Sequence, residues 1–306
     1  MVTGKINKIF WAGFFITLAG SILFSTKAII VKKAFADIKI DALTLLALRM
    51  VFSLPFYLFA AIHTSSKKEN VKMNSKQWMG VIILGVCGYY LSSLFDFLGL
   101  QYVSAGLERL ILFLYPTFAV LINAFVFKVR MSRTQKIALA CTYSGILVAY
   151  VGELNLENPT PLFLWGSFLI FLCAVTFSIY IVGSGKMIPS IGATKFTAYA
   201  MLVATAGILL QFIIRGNYTK VHFDHHLFVY GLLLALIATV VPSFLISAGM
   251  KRIGSNNVAI VSSIGPVSTI IQAYFILGEK IFAAQIFGTV LVIIGVLLIG
   301  WRTSKN

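Results

Sequence analysis

The chain has 306 residues, 59% of them hydrophobic and 11% charged, with a mean hydropathy of +0.94, whereas a soluble domain carries about 25% charged residues. This composition excludes a water-soluble enzyme or regulator and predicts an integral membrane protein. The formal charge of +16, from 25 Lys and Arg against 9 Asp and Glu, would suggest a nucleic-acid partner in a soluble chain, but in a membrane protein it reflects basic cytoplasmic loops.

Ten apolar runs are long enough to cross a bilayer, at about 9–31, 41–62, 77–98, 103–127, 134–152, 162–182, 194–214, 227–249, 256–277 and 282–301. The first follows Lys5 and Lys8 but runs past a signal-peptide core without a small-residue cleavage site, so it is read as a span. It carries Lys27 near its outer end. The second holds Arg49 and Pro55, and the third Tyr89, Tyr90 and, near its outer end, Asp96. The fourth has Glu108 and Arg109 in its outer part, then Tyr115 and Pro116. A charge near the bilayer centre costs about 2.5–3.5 kcal/mol on insertion scales, so these five charged groups are expected to face a polar cavity or to snorkel. Glu108 and Arg109 are neighbours and cannot share one helix face.

The later spans are smoother. The eighth contains Pro242; the ninth contains Ser262, Ser263, Pro266, Ser268 and Thr269; the tenth contains Gly288, Gly295 and Gly300. Glycines allow close helix approach, and the tenth span is expected either to pack against the fifth or to form a dimer surface. Prolines inside spans remove a backbone donor and kink the helix, which makes Pro116, Pro242 and Pro266 candidate hinges. Cys87, Cys141 and Cys173 lie in apolar runs without disulfide or metal spacing and read as packed thiols.

An even number of spans puts both termini on one side. With that side cytoplasmic, the inner segments hold 16 basic residues and the outer segments six, so the positive-inside rule predicts both termini in the cytoplasm, and the bare ten-helix form leads to the expectation of a multi-pass protein of a cell inner membrane. Loops of at most about 15 residues and the absence of GxxxxGK[ST] leave nothing on which to build an ATPase or a nucleic-acid reader.

The halves repeat at an offset of 150 residues: Gly99 falls on Gly249, Pro116 on Pro266 and Gly145 on Gly295. The chain therefore divides into two five-helix repeats, 1–152 and 160–306, joined through LNLENPTP. Five spans per half make the second repeat inverted, an architecture that supports alternating access with the solute near the midplane. The fold class expected is all-α integral membrane, with ten transmembrane helices.

The candidate cavity residues are Lys27, Arg49, Tyr89, Asp96, Glu108, Tyr115 and Ser263. A carboxylate, Glu108 or Asp96, is expected to pair with Lys27 or Arg49, leaving other polar groups for a charged or zwitterionic solute. A carboxylate released from its partner during the cycle could couple transport to a proton gradient. No cofactor or metal is expected; KVHFDHH, with His222, Asp224, His225 and His226, reads as a polar loop. Expected partners are a small solute and lipid, with no nucleic acid, and the protein is a monomer or homodimer.

The chain resembles the ten-helix EamA-type branch of the drug/metabolite transporter superfamily over nearly its whole length. The family's first-helix pattern is matched in AGSILFSTK by Gly20 and Lys27, with Ala19 where tryptophan is usual. Arg49 in LALRMVF resembles the arginine of its second helix. QYVSAGLERLILFLYPTFAVL carries Tyr102, Ala105 and Pro116 in their usual places, and SNNVAIVSSIGPVSTIIQAYFILGEK ends in the family's Gly278-Glu279 pair. The first half departs there, with Lys128-Val129-Arg130 in place of Gly-Glu-Arg/Lys. The resemblance implies a central cavity and alternating access, and a secondary transporter that exports an amino acid or related zwitterion. Drugs and nucleotide-type metabolites are alternative cargo within the wider relatives. The rivals from other classes are a membrane enzyme, which would need a metal cluster or catalytic carboxylate, and a receptor or scaffold, which would leave the buried charges without a purpose.

Overall fold

The computed structural model describes residues 2–38, 40–66, 72–126, 128, 133–157, 161–216, 225–262 and 264–303. Every regular element among them is helical. In chain order they are α1 Val2–Ile38, α2 Ala42–Ser65, α3 Ser75–Gly99, α4 Ala105–Leu112, α5 Tyr115–Val126, α6 Arg133–Glu157, α7 Pro161–Ile191, α8 Ala193–Arg215, α9 His225–Gly254 and α10 Ile264–Leu277, and α11 Ala283–Thr303. Six of them, α1, α2, α3, α7, α8 and α9, are long and apolar enough to cross a membrane, and shorter apolar helices lie at Leu139–Gly152, Ile264–Leu277 and Ala283–Gly295.

Local chemistry sets the ends. Asn74 and Gln77 form a reciprocal capping box at the start of α3. Asp41 accepts from the Thr44 N–H at 3.0 Å to begin α2. Pro161 opens α7, where a missing N–H costs nothing. The step from α7 to α8 is a single residue, Gly192 at φ 93°, a conformation open to glycine because it has no Cβ. Helices α1 and α7 extend beyond the apolar runs at 9–31 and 162–182, since backbone hydrogen bonding continues through their polar ends.

The fourth and ninth apolar runs are not continuous helices. The fourth breaks at Phe113–Leu114 between α4 and α5. In the ninth, helical bonding leaves α9 at Gly254 (φ 77°, ψ 160°), resumes through Val261, and breaks again before α10. Pro116 and Pro266 sit in the first turns of α5 and α10, where proline's fixed φ suits a helix start. Pro242 lies just after a π-helical turn, Leu236–Val240, and a second π turn occupies Val86–Leu91 in α3. The wider turn relieves the clash that a proline ring makes with the carbonyl four residues before it. At the position matching Pro242, the Ser92 hydroxyl instead donates to the Gly88 carbonyl.

Helix pairing follows the repeat. Helix α1 packs on α9 as α3 packs on α7, α1 packs on α10 as α7 packs on α4 and α5, α2 pairs with α8, and α6 pairs with α11. Two of the three π turns, Val86–Leu91 and Leu236–Val240, and the two interruptions fall at about the 150-residue offset, while the third, Ala273–Leu277 at the end of α10, has no counterpart among the described residues. Large apolar side chains such as Phe59, Phe125 and Phe275 remain exposed on the outside of the bundle, as lipid-facing residues do.

The glycine face of the last helix packs within the chain, against α6. A Cβ at Gly288 would lie 2.4 Å from the Gly145 carbonyl oxygen, and one at Gly145 would lie 2.5 Å from the Gly288 carbonyl oxygen. Gly288→Val should therefore cost about 1–3 kcal/mol by overpacking. Thermal unfolding in detergent should show a lowered midpoint, while Phe287→Val on the exposed side of the same turn stays near wild type. Equal midpoints for the two variants would refute the contact.

Candidate functional site

The polar centre is assembled by the first four helices. Ser104, in an extended conformation, caps α4 by accepting from the Leu107 N–H at 3.0 Å. Glu279, just past α10, accepts from the N–H of Ala105 at 3.0 Å and of Gly106 at 3.4 Å. Both acceptors satisfy donors that a helix start leaves free, and they hold Glu108 one turn further on. Adjacent spacing sends Glu108 and Arg109 to different partners. Glu108 turns toward Lys27 on α1, with Oε1 3.8 Å from Nζ, while Arg109 Nη2 donates to Ser25 Oγ at 3.5 Å. The Arg109 guanidinium also occupies the space beside Gly265, where a Cβ would come within 2.6 Å of it.

Asp96 on α3 completes the group, with Oδ2 2.8 Å from Lys27 Nζ. This contact is close but lacks the alignment of a hydrogen bond. Neither carboxylate has a hydrogen-bond partner on any of its oxygens. Lys27 is 5% exposed and Asp96 and Glu108 are 0% exposed, so one ammonium holds two carboxylates away from both lipid and water. Three cations and two carboxylates meet here, counting Arg49 and Arg109, and Phe24 lies against both Lys27 and Arg109 at 5.1 and 5.3 Å from its ring centre.

Beside this cluster lies a partly open cavity whose walls bound about 660 Å³, open solvent included. Lys27, Arg49 and Tyr89 line it from the first three helices, together with Ser92 and Ser93; Phe177 and Tyr180 on α7 and Thr239 and Ser243 on α9 close it from the other side. Arg49 Nη2 donates to Ser93 Oγ at 2.8 Å, and its guanidinium lies 4.8 Å over the Phe97 ring. Tyr89 and Tyr180 share a hydroxyl hydrogen bond of 2.7 Å. The approach depends on Gly88, where a Cβ would lie 2.2 Å from the Tyr180 ring.

The residues singled out by sequence are thus only partly brought together. Lys27, Arg49 and Tyr89 reach the cavity; Asp96 and Glu108 stand behind Lys27; Tyr115 is buried among aromatics, edge-on to Phe177 at 5.2 Å, and is not part of the lining. Ser263 lies outside the described residues. Sequence reasoning missed Phe177, Tyr180, Ser93, Thr239 and Ser243. The repeat held a signal for two of these, since the 150-residue offset carries Tyr89 onto Thr239 and Ser93 onto Ser243.

A second, open groove of about 1040 Å³ runs between α1, α9 and α10, walled by Ile29, Ile30 and Leu233 and rimmed by Lys33, His225 and His226. His222 and Asp224 of the histidine-rich stretch fall outside the described residues. Among the described residues no three His, Cys, Asp or Glu side chains gather as metal ligands.

Comparison with known proteins bears on the whole chain. The model of the EamA-like transporter family matches residues 11–151 and again 164–301. The uncharacterized transporter YcbK of Bacillus subtilis is 31% identical over 286 residues, covering 90% of this chain and 89% of that one. The uncharacterized transporter YyaM of the same organism is 24% identical over 234 residues, 76% of this chain and 75% of that one. A protein of Salmonella typhimurium described as a probable amino-acid metabolite efflux pump is 24% identical over 212 residues, 66% of this chain and 70% of that one. A solved crystal structure superposes with a TM-score of 0.69 at 17% identity, covering 96% of this chain and 98% of that one, which establishes likeness of fold alone.

The ion pair generates a prediction of its own. Lys27→Met strands two buried carboxylates and should destabilise the protein by about 3–5 kcal/mol, whereas Lys27→Met combined with Asp96→Asn and Glu108→Gln should recover most of that loss. A cycle of detergent-unfolding measurements on these variants reads the coupling; simple additivity would show that the three groups do not interact.

Proposed function

Since the chain belongs to the EamA-like transporter family, we propose that it is a secondary transporter that moves a small metabolite, an amino acid or related zwitterion, out across the cytoplasmic membrane by alternating access. The observation that carries this reading is the cavity walled by helices of both halves with a buried ion-pair cluster at its edge. Charges in an apolar bundle are costly, and lining a solute path is their commonest use. Transport rather than catalysis is the activity that the family and its named relatives carry.

In this reading ten spans form two inverted five-helix repeats, 1–152 and 160–306, with both termini cytoplasmic. The matched π turns and matched interruptions support hinges of equal design in the two halves. Rocking of one half against the other opens the cavity to each side in turn. Lys27 is shared by two carboxylates, so moving Lys27 off Glu108 leaves a charge that a proton can neutralise, which is the proposed point of coupling to a proton gradient. The solute and the surrounding lipid are the partners, and the working unit is a monomer or homodimer.

Proteoliposomes holding the purified protein should show saturable counterflow of one solute class from a panel of amino acids, nucleosides and cationic drugs. Lys27→Ala should lower the rate by about tenfold or more, the equivalent of 1.4 kcal/mol. Absence of counterflow across the panel, from protein that elutes as a folded species, would overturn the transport reading. Glu108→Gln should retain counterflow while losing acceleration by an imposed pH gradient; if the gradient still accelerates this variant, Glu108 is not the proton carrier.

A further inference from the structure

The cavity's lining charges are of one sign. Among the described residues Lys27 and Arg49 face it and no carboxylate does, since Asp96 and Glu108 are turned onto Lys27. The two cations also differ in what they have available. Lys27 is held by two carboxylates. Arg49 is 3% exposed, its Nε has no hydrogen-bond partner, and its Nη2 bonds a neutral hydroxyl, that of Ser93. Arg49 makes none of the contact ion pairs of this centre, which join Lys27 to Asp96 and Glu108, and Asp96 acts on it only through space. A buried guanidinium in an apolar bundle calls for an anion, and its planar fork matches a carboxylate.

Another part of the lining is aromatic. The Tyr180 ring stacks on Phe177 at 5.7 Å and meets Tyr89 at 4.8 Å, and Phe177 stacks on Phe24 at 6.3 Å. The two tyrosine hydroxyls are bonded to one another, so this side presents mainly ring surface.

From this arrangement we infer that Arg49, aided by Ser93, is a carboxylate subsite, that the aromatic wall takes the solute's apolar body, and that the cargo is a small amphipathic carboxylate whose ammonium group is dispensable. The inference rests on the cavity being the solute site proposed above and deepens it: an amino acid qualifies through its carboxylate, while a cationic amine meets Lys27 and Arg49 with no acid to receive it.

A matched pair of probes tests this. Phenylpropionate and phenethylamine are titrated into the purified full-length protein in detergent by calorimetry, and the same compounds are tried in counterflow. The acid should bind more tightly than the amine by about tenfold or more, and Arg49→Gln should erase that preference while Arg49→Lys keeps part of it. Ser93→Ala, which removes the hydroxyl that anchors Arg49, should weaken acid binding and serves if the arginine variants do not fold. Equal or tighter binding of the amine, no binding of the acid at millimolar concentration, or unchanged acid affinity in Arg49→Gln would each overturn the subsite. Acid binding without exchange would instead overturn the carrier reading and leave the subsite standing, and exchange of the amine alone would do the reverse.

Discussion

One lysine between two carboxylates is the constraint around which the rest of this bundle is arranged. Lys27, Asp96 and Glu108 come from three different helices, and none of them is stable facing hydrocarbon. Their meeting fixes how α1, α3 and α4 rotate about their own axes, which in turn decides which faces look outward. The exposed Phe15 on α1 and Ile83 on α3 lie on faces that this arrangement leaves to lipid. Phe24 beside Lys27 and Arg109 extends the same logic, since an aromatic face can satisfy a cation where water is absent.

Much of the scaffold was legible in the sequence because membrane helices announce themselves by length and apolarity. Six of the ten apolar runs, the first, second, third, sixth, seventh and eighth, fall in helices long and apolar enough to cross a membrane, and the glycines of the last run were a sound guide to close packing, although they could not choose between a neighbouring helix and a second copy. The interruptions at Phe113–Leu114 and after Val261 were hidden, because a broken helix and a kinked one share the same hydropathy. Proline alone does not tell them apart: Pro242 follows a π turn within a continuing helix, whereas Pro116 and Pro266 begin new segments.

The site was legible by charge and obscure by shape. Charged residues in apolar runs stand out, so Lys27, Arg49, Asp96 and Glu108 could be named from composition alone. Which of them face the cavity depends on helix rotation, and that placed the two acids behind Lys27. The aromatic wall gave no comparable signal in a chain with 26 Phe and 12 Tyr. Tyr180 reaches Tyr89 only because Gly88 has no side chain, a pairing of residues 91 positions apart in sequence that spacing does not reveal.

The scaffold is nearly symmetric, but its fastening is not. Glu279 ties the turn after α10 to the start of α4 through the N–H groups of Ala105 and Gly106. The repeat carries Glu279 onto Val129, whose side chain has no acceptor with which to tie the corresponding place. In the alternating-access reading proposed above, two otherwise similar ends of the bundle would open at different cost, and the resting populations of the two facing states would be unequal. Such a bias cannot create net flux, since a cycle at equilibrium answers only to gradients. It would set how much solute is needed for half-saturation on each face, so in that reading one carboxylate outside the cavity lining gives two unequal affinities for the same compound.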